Sequence, residues 1–115
     1  MNYTEIPERR KGRRQLGRNR RVAQRLGDGA IAEFLATRPA WAVVDGKLHR
    51  EIVFGDFAEA FAFMTRVAIH AEKLDHHPEW SNVWNRVTID LVTHDAGGLT
   101  DLDIELADCI DVAAG

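Results

Sequence analysis

The sequence predicts an α+β domain, in which a four-stranded antiparallel sheet carries about three helices on one face. Three observations lead to this prediction. Apolar residues recur at helical spacing in three separate stretches. An Asp45-Gly46 pair stands between two runs of strand-forming residues, which is typical of a hairpin. After Pro78, apolar and polar residues alternate as in a half-buried strand. The predicted order is therefore helix, hairpin, helix, two strands, helix.

The bulk composition predicts one soluble domain. The chain has 115 residues, of which 45% are apolar, enough for a single core. It contains no apolar run that could span a membrane, and its basic N-terminus is not followed by the apolar segment of a secretory signal. Its single cysteine, Cys109, excludes an internal disulfide. We expect a cytoplasmic protein that does not bind membranes.

Charge divides the chain into a basic arm and an acidic body. Residues 1–25 carry nine basic and two acidic residues, whereas the rest carries six basic and sixteen acidic ones. We assign residues 1–27 to the arm and residues 28–115 to the domain. The arm could bind nucleic acid or pack on the acidic body of its own oligomer. A poorly ordered leader without a specific role is favoured, because the arm has almost no apolar periodicity. The body is too acidic to bind nucleic acid.

The first two elements are predicted from caps and turns. Asp28 is placed to cap a short helix, and Pro39 ends it. The apolar face of this helix consists of Ile31, Phe34 and Leu35. Both positions of the Asp45-Gly46 turn favour positive φ, so a two-residue hairpin loop is expected there. On its second strand, the buried face consists of Leu48, Ile52 and Phe54.

The later elements follow the same logic. In the long helix, Asp56 is the expected N-cap and Glu59 completes a capping box. The predicted core stripe of this helix consists of Phe57, Phe61, Met64, Ala68 and Ala71, widened by Phe63 and Val67. The stretch after Pro78 is one strand, or two with a kink near Asn85. In the last helix, Thr100 is the expected N-cap, with Asp103 three residues later.

Three of the five histidines fall at the ends of predicted elements, where a scaffold presents functional groups. They are His76, His77 and His94. Pro78 biases His77 towards an extended conformation. Because successive side chains of an extended segment point in opposite directions, the adjacent pair would line different walls. The remaining two histidines, His49 and His70, are expected to be structural or solvated.

Three kinds of chemistry are possible for these histidines. A metal site built from His76, His77, His94 and Asp103 is disfavoured, because adjacent histidines rarely bind one ion and no i, i+4 pair is present. Nucleophilic catalysis has little support, since Cys109 looks buried and no serine lies in a nucleophile elbow. General acid/base catalysis fits best, because imidazole can both donate and accept a proton near neutral pH.

The stretch FMTRVAIHAEKLDHHPEWSNVWNRVTIDLVTHDAGGLTDLDIELA resembles the pterin-4a-carbinolamine dehydratase family. The residues that carry the resemblance are Glu72, His76-His77-Pro78, Trp80, Trp84, Thr93-His94, Gly98-Leu99-Thr100 and Asp103. The resemblance extends from about Asp28 to the C-terminus and leaves residues 1–25 outside. Trp84 stands where the family often has tyrosine, which preserves an aromatic ring.

The resemblance implies dehydration of 4a-hydroxytetrahydropterin to quinonoid dihydropterin, which recycles the cofactor of aromatic amino-acid hydroxylases. The catalytic residues that it implies are His76, His77, His94 and Asp103. His76 and His94 would then be the proton-transfer pair, while His77 holds the ring. The substrate-binding residues that it implies are Glu72, Asp75, Thr93, Asp95, Trp41 and Trp80. No metal or cofactor is expected, since the pterin is the substrate.

Several alternatives remain open at this point. Asp103 could serve only as a helix-start cap, Glu72 could be a solvated acid at a helix end, and Trp41 and Trp80 could be core residues. The resemblance and the uncovered sheet edges imply a homodimer or homotetramer. A second function, in a different class, is an interaction module that acts as a transcriptional co-regulator or an enzyme assembly factor. The three histidines favour the enzyme, because a binding scaffold does not need them.

Overall fold

The computed structural model describes residues 23–115. Its elements are α1 (Asp28–Thr37), β1 (Ala42–Val44), β2 (Lys47–Val53), α2 (Phe57–Leu74), β3 (Glu79–Val83), β4 (Arg86–Leu91), a 3-10 turn (His94–Ala96) and α3 (Asp101–Ala114). The strands form one antiparallel sheet in the order β1-β2-β4-β3. This confirms the predicted α+β fold, with two strands after Pro78. Predictions about residues 1–22 of the arm lie outside the described residues.

Both hairpins turn where a residue adopts positive φ. Asp45 and Gly46 have φ of 52° and 79°, as the predicted two-residue loop requires. The second hairpin turns at Trp84, whose φ is 52°. The neighbouring Asn85 fixes this turn against the end of β2, because its backbone carbonyl and its side-chain amide each bond the backbone of Phe54 at 2.8 Å. The kink predicted near Asn85 is therefore a complete chain reversal.

The core lies between one face of the sheet and the helices. The sheet contributes Leu48, Ile52, Val87, Ile89 and Leu91, all buried. The helices contribute mainly Phe34, Phe63, Val67, Leu106 and Ile110. Alternation along β4 places Arg86, Thr88 and Asp90 on the opposite face. Within residues 23–115, no helix is long and apolar enough to cross a membrane.

The predicted core stripe of α2 was wrong at three positions, Phe57, Phe61 and Ala68, all of which are exposed. Phe57 and Phe61 are 51% and 55% exposed, and their rings contact each other at a centroid distance of 5.7 Å. The buried residues are Ala60, Phe63, Val67 and Ala71. A packed helix buries a stripe roughly 100° wide, and this helix has more apolar residues than one stripe accommodates. Ala60 and Ala71 face the core, whereas Phe57 and Phe61 remain outside it.

The chain before α1 packs against the body. The backbone N–H of Leu26 donates to Leu99 O at 2.7 Å, and Nη1 of Arg25 donates to Gly97 O at 3.3 Å. The aliphatic stem of Arg25 crosses Gly98 so closely that a Cβ there would lie 2.6 Å from the arginine Cδ. The predicted N-cap of α1 was wrong, because Gly27 occupies that position without a side-chain bond. Asp28 is the first helical residue, where its negative charge suits the helix N-terminus.

Candidate active site

The end of α2 directs the adjacent histidines. Asp75 adopts the left-handed conformation with φ 53° and ψ 40°. Its N–H donates to Glu72 O at 3.2 Å, and the N–H of His76 donates to Ala71 O at 3.1 Å. These two bonds form a Schellman motif, with aspartate at the position usually taken by glycine. The motif reverses the chain, so that His76 enters the interior while His77 remains exposed.

His76 is paired with a buried carboxylate. Its Nε2 lies 2.6 Å from Oδ1 of Asp103, and the two residues are 8% and 0% exposed. Asp103 lies in the first turn of α3, where the helix dipole favours a negative charge. The arrangement resembles the imidazole–carboxylate pairs that orient a proton-transferring histidine.

Two threonines complete the surroundings of this carboxylate. Thr93 Oγ1 donates to Asp103 Oδ2 at 2.8 Å, and the backbone N–H of Thr100 donates to the same oxygen at 2.9 Å. The two threonine hydroxyls are themselves 2.7 Å apart. All three residues are buried. Asp103 and Thr100 form the predicted capping box, so Asp103 is a helix cap and also the partner of His76.

His94 is paired with a second carboxylate at the surface. Its Nε2 lies 2.7 Å from Oε2 of Glu79, and its side chain is 71% exposed. Lys47 donates to the other oxygen of Glu79 at 2.5 Å. The bonds from Lys47 and then from His94 hold the pKa of Glu79 below its ordinary value. In return, the bond to Glu79 raises the pKa of Lys47. Glu79 is therefore an anionic anchor for His94.

His77 has a third carboxylate partner. Its Nε2 lies 3.0 Å from Oε1 of Glu72, and about half of each side chain is exposed to solvent. The pair joins the last turn of α2 to the segment that follows it. Because both groups are accessible, they can exchange this contact for one to a bound ligand.

Two links bring the segments of the chain together. The first joins His76 to Asp103 and, through it, to Thr93. The second joins His94, the residue after Thr93, to Glu79. The segment around the histidine pair and the segment after β4 therefore lie side by side. The imidazoles of these adjacent segments differ in accessibility, since His76 is buried and His94 is exposed.

Other chemistry has less support among the described residues. Within residues 23–115, histidine, cysteine, aspartate and glutamate side chains form no group of three or more that could hold a metal ion. Cys109 is only half-buried, but burial raises the pKa of its thiol, which disfavours the nucleophilic thiolate near neutral pH.

The remaining predicted contacts are not all at this location. Trp41 is buried, and its indole N–H donates to Asp111 Oδ1 at 2.9 Å. Asp111 lies eight residues beyond Asp103 on α3, an axial distance of about 12 Å. The structure therefore does not bring Trp41 together with the histidines. Trp80 is half-buried on β3, opposite Ile89 and against the core, next to the segment that holds His77.

Asp75, Asp95 and Thr93 also have defined positions. Asp75 precedes the histidine pair at the end of α2, and Asp95 is exposed in the 3-10 turn beside His94. Thr93 faces inward, and its N–H donates to Gly98 O at 3.0 Å, so neither its hydroxyl nor its N–H is directed to solvent.

Sequence reasoning missed Glu79 and the second role of Thr100. Glu79 follows Pro78 directly and looked like an ordinary surface acid. Its partners are 15 and 32 residues away, and no spacing rule connects them. The sequence nevertheless contained an indication. Glu79 is the first residue of a predicted strand and follows the histidine pair closely, so its carboxylate can reach residues at the ends of neighbouring strands. Thr100 was predicted as a cap, but its hydroxyl also contacts Thr93.

Comparison with known proteins extends this picture to the whole domain. The model of the family described as pterin 4 alpha carbinolamine dehydratase matches residues 24–113. The chain belongs to this family. The match begins before α1 and ends within α3, so it includes every residue of the candidate site.

Individual proteins of the pterin-4a-carbinolamine dehydratase family are closely similar to this chain. A protein of Solibacter usitatus, provisionally named pterin-4-alpha-carbinolamine dehydratase, is 56% identical over 93 residues, which cover 81% of this chain and 98% of that one. A protein of Synechococcus with the same provisional name is 63% identical over 75 residues, 65% of this chain and 81% of that one. A solved structure from Brucella melitensis, described as a transcriptional coactivator/pterin dehydratase, is 45% identical with a TM-score of 0.77. The alignment covers 80% of this chain and all of that one.

Proposed function

We propose that this protein dehydrates 4a-hydroxytetrahydropterin to quinonoid dihydropterin and water. The observation that supports the proposal is the pair of hydrogen-bonded links that joins the segment of His76 to the segment of His94. Membership in the family supports the choice of a pterin as substrate.

The reaction needs two proton transfers. The bond between C4a and the hydroxyl oxygen breaks, and a proton from an acid converts the departing hydroxyl to water. The N5 proton is transferred to a base, and the electron pair of that N–H bond forms the C4a=N5 double bond. The acid loses one proton and the base gains one. Proton exchange with water then returns both groups to their starting protonation states. Each positioned group contributes on the order of a hundredfold or more in rate.

We assign the proton transfers to His76 and His94 and the binding of the ring to His77. His76 is nearly buried and held by Asp103, which suits a group with one fixed ring orientation. His94 is exposed and anchored by Glu79, which suits a group that exchanges protons with water. His77 and Glu72 are accessible, and together they offer polar contacts to the edge of a pterin.

The remaining predicted contacts belong to the same proposal. Asp75 precedes His76 and Asp95 follows His94, so both carboxylates would contact the pterin, and Trp80 would supply an apolar wall. Thr93 contributes through Asp103, because its hydroxyl faces the interior. Trp41 would stabilise the fold through Asp111. The pterin is the substrate, and the proposal requires no further cofactor.

Stopped-flow measurement of 4a-hydroxytetrahydropterin decay tests the proposal. The wild-type protein should accelerate decay over buffer, and the His76→Ala, His94→Ala double variant should lose at least about a hundredfold in kcat/KM. His70→Ala is the matched control, since this histidine of α2 is exposed and has no part in the proposed chemistry. Full activity in the double variant, or no acceleration by the wild type, would refute the proposal. Coupling the assay to an aromatic amino-acid hydroxylase tests the recycling role.

A second function is an interaction module on the same scaffold. Its support is the description of the Brucella melitensis relative, which includes a transcriptional coactivator. The two functions differ in their dependence on the histidines, because a protein interface would survive their replacement. A wild-type protein without dehydratase activity would make the interaction module the better function. The predicted nucleic-acid contact of the arm is tested by DNA binding of the full chain at low and high salt.

We also propose that the protein forms a homodimer or homotetramer. Phe57 and Phe61 leave an apolar strip on α2, and the sheet has open edges at β1 and β3. Light scattering should give a mass of two or four chains, and Phe61→Glu should reduce it. Val112→Glu is the control, because Val112 is more exposed but lies on α3. A monomer in the wild type would contradict this proposal. A cytoplasmic location remains a prediction.

A further inference from the structure

We propose that Thr93 and Thr100 form a hydroxyl chain that holds the Asp103 carboxylate and thereby fixes the orientation and the tautomer of His76. The inference rests on the proposed function, because it assigns positioning residues to the same site. Both threonines are buried, so they act through Asp103 and not by touching the pterin.

The direction of the chain follows from counting protons. A threonine hydroxyl has one proton and can accept two bonds. Thr93 donates its proton to Asp103 Oδ2. In the 2.7 Å contact between the two hydroxyls, the donor is therefore Thr100. Thr100 Oγ1 in turn accepts from the backbone N–H of Leu102 at 3.2 Å. The chain runs in one direction, from the first turn of α3 to the carboxylate.

This chain fixes the carboxylate from several sides. Oδ2 of Asp103 receives the Thr93 hydroxyl and the Thr100 N–H, which come from different segments. Thr93 is itself held by a pair of backbone bonds with Gly98, at 3.0 and 3.3 Å. With Oδ2 occupied by two donors, Oδ1 is the oxygen that faces His76. The carboxylate plane cannot rotate without breaking bonds to both segments.

The fixed carboxylate determines where the imidazole carries its proton. A carboxylate accepts and does not donate, so the neutral ring of His76 must place its proton on Nε2. The lone pair then lies on Nδ1, the nitrogen on the other side of the ring. This tautomer makes Nδ1 the proton acceptor of His76. The wrong tautomer would present an N–H where the reaction requires a lone pair.

The first experiment measures the tautomer directly and needs no substrate. The ¹⁵N chemical shifts of the His76 ring, above the pH at which it loses its charge, distinguish an Nε2–H ring from an Nδ1–H ring. The wild type and Thr93→Ser should show the Nε2–H pattern, because both retain the hydroxyl. Thr93→Val should show a mixture of tautomers. Asp103→Asn defines the spectrum of a ring released from the carboxylate.

The second experiment measures kinetics in the same variants. Thr93→Val should lose about tenfold or more in kcat, with little change in KM, because an ordering effect on a proton acceptor acts on the chemical step. Thr93→Ser should recover most of the rate. Thr88→Val is the matched control and should keep full activity, since this threonine lies on the opposite face of β4, where its hydroxyl is 3.5 Å from Glu51. If Thr93→Val does not fold, Thr93→Ala replaces it.

The outcomes separate the inference from the proposed function. A hydroxyl-free variant that keeps a pure Nε2–H ring and wild-type kcat overturns the inference, even if the wild type is a dehydratase. A wild type without dehydratase activity overturns the function, while the tautomer measurement still decides whether the chain positions His76. If Thr93→Val lost thermal stability but kept the His76 tautomer of the wild type, the role of Thr93 would be purely structural and the inference would also be overturned.

Discussion

Replacing Asp103 by alanine distinguishes a simple helix cap from the centre of a buried network. Loss of a cap alone costs about 1 kcal/mol of stability. Here the substitution also removes the acceptor of three donors, the His76 ring, the Thr93 hydroxyl and the Thr100 N–H. An unsatisfied buried polar group costs about 1–3 kcal/mol. The Thr93 hydroxyl and the His76 ring can partly rearrange to find other partners. We therefore expect the free energy of unfolding to fall by about 3–5 kcal/mol in total.

Thermal and urea unfolding, followed by circular dichroism, measure this loss. For a domain of this size, each kcal/mol lowers Tm by about 4–8 °C, so Asp103→Ala should lower Tm by at least about 12 °C. Asp56→Ala is the matched control, since Asp56 is an exposed N-cap that accepts the Glu59 N–H at 2.8 Å. It should lose about 1 kcal/mol. If Asp103→Ala lost no more than this control, the three-donor network would not contribute to stability and the reasoning would be wrong.

Three further predictions concern neighbouring residues. Trp41→Phe removes the indole donor to Asp111, so unfolding should show a loss of about 1 kcal/mol while kcat/KM stays unchanged; a raised KM would instead indicate substrate contact. Glu79→Gln should lower Tm near pH 6, because it removes a carboxylate that stabilises the fold. The pKa of this carboxyl is depressed mainly by the hydrogen bond from Lys47 and next by the one from His94. This difference should vanish as pH falls through that lowered pKa, since stability from a depressed carboxyl is lost on protonation; a difference that persists at about pH 2 contradicts this. Asp75→Gly places glycine at a left-handed position and should raise the free energy of unfolding by about 0.5–1 kcal/mol, measured by urea unfolding. A higher KM for the pterin in this variant would indicate that the Asp75 carboxylate binds the substrate.

Local features of the fold could be predicted because their causes lie within a few residues. The Asp45-Gly46 loop needs positive φ at two positions, and the sequence shows both. The Thr100–Asp103 capping box spans three residues and is visible in the same way. Even a local prediction can miss by one residue, since the N-cap of α1 is Gly27 rather than Asp28. Cap positions shift by one residue without changing the pattern that predicts them.

The partners of the histidines could not be predicted, because folding brings them together from distant positions. His76 and Asp103 are separated by 27 residues, and the Trp41 bond joins residues 70 apart. The family resemblance selected the histidines and Asp103, but it did not say which carboxylate holds which ring. Glu79 was missed for the same reason.

The packing face of α2 was mispredicted for a different physical reason. Bulky residues dominate a hydrophobic pattern, so Phe57 and Phe61 determined the expected stripe. The close approach of the helix to its neighbours is instead permitted by small side chains, such as Ala60 and Ala71, both buried. The face of a helix that can come nearest to its neighbours is not always the face with the largest apolar area.

The Schellman motif at the end of α2 has a consequence for the lifetime of the site. The N–H of His76 closes the last turn of that helix, and its imidazole reaches Asp103 in the first turn of α3. The pair of His76 and Asp103, to which we assign a role in proton transfer, is thus built from two helix ends, the parts of helices that open most readily. Fraying of either end would withdraw the imidazole while the sheet stays folded. Amide hydrogen exchange at His76 and Thr100 should therefore report how often the site is dismantled, at a free energy below that of global unfolding.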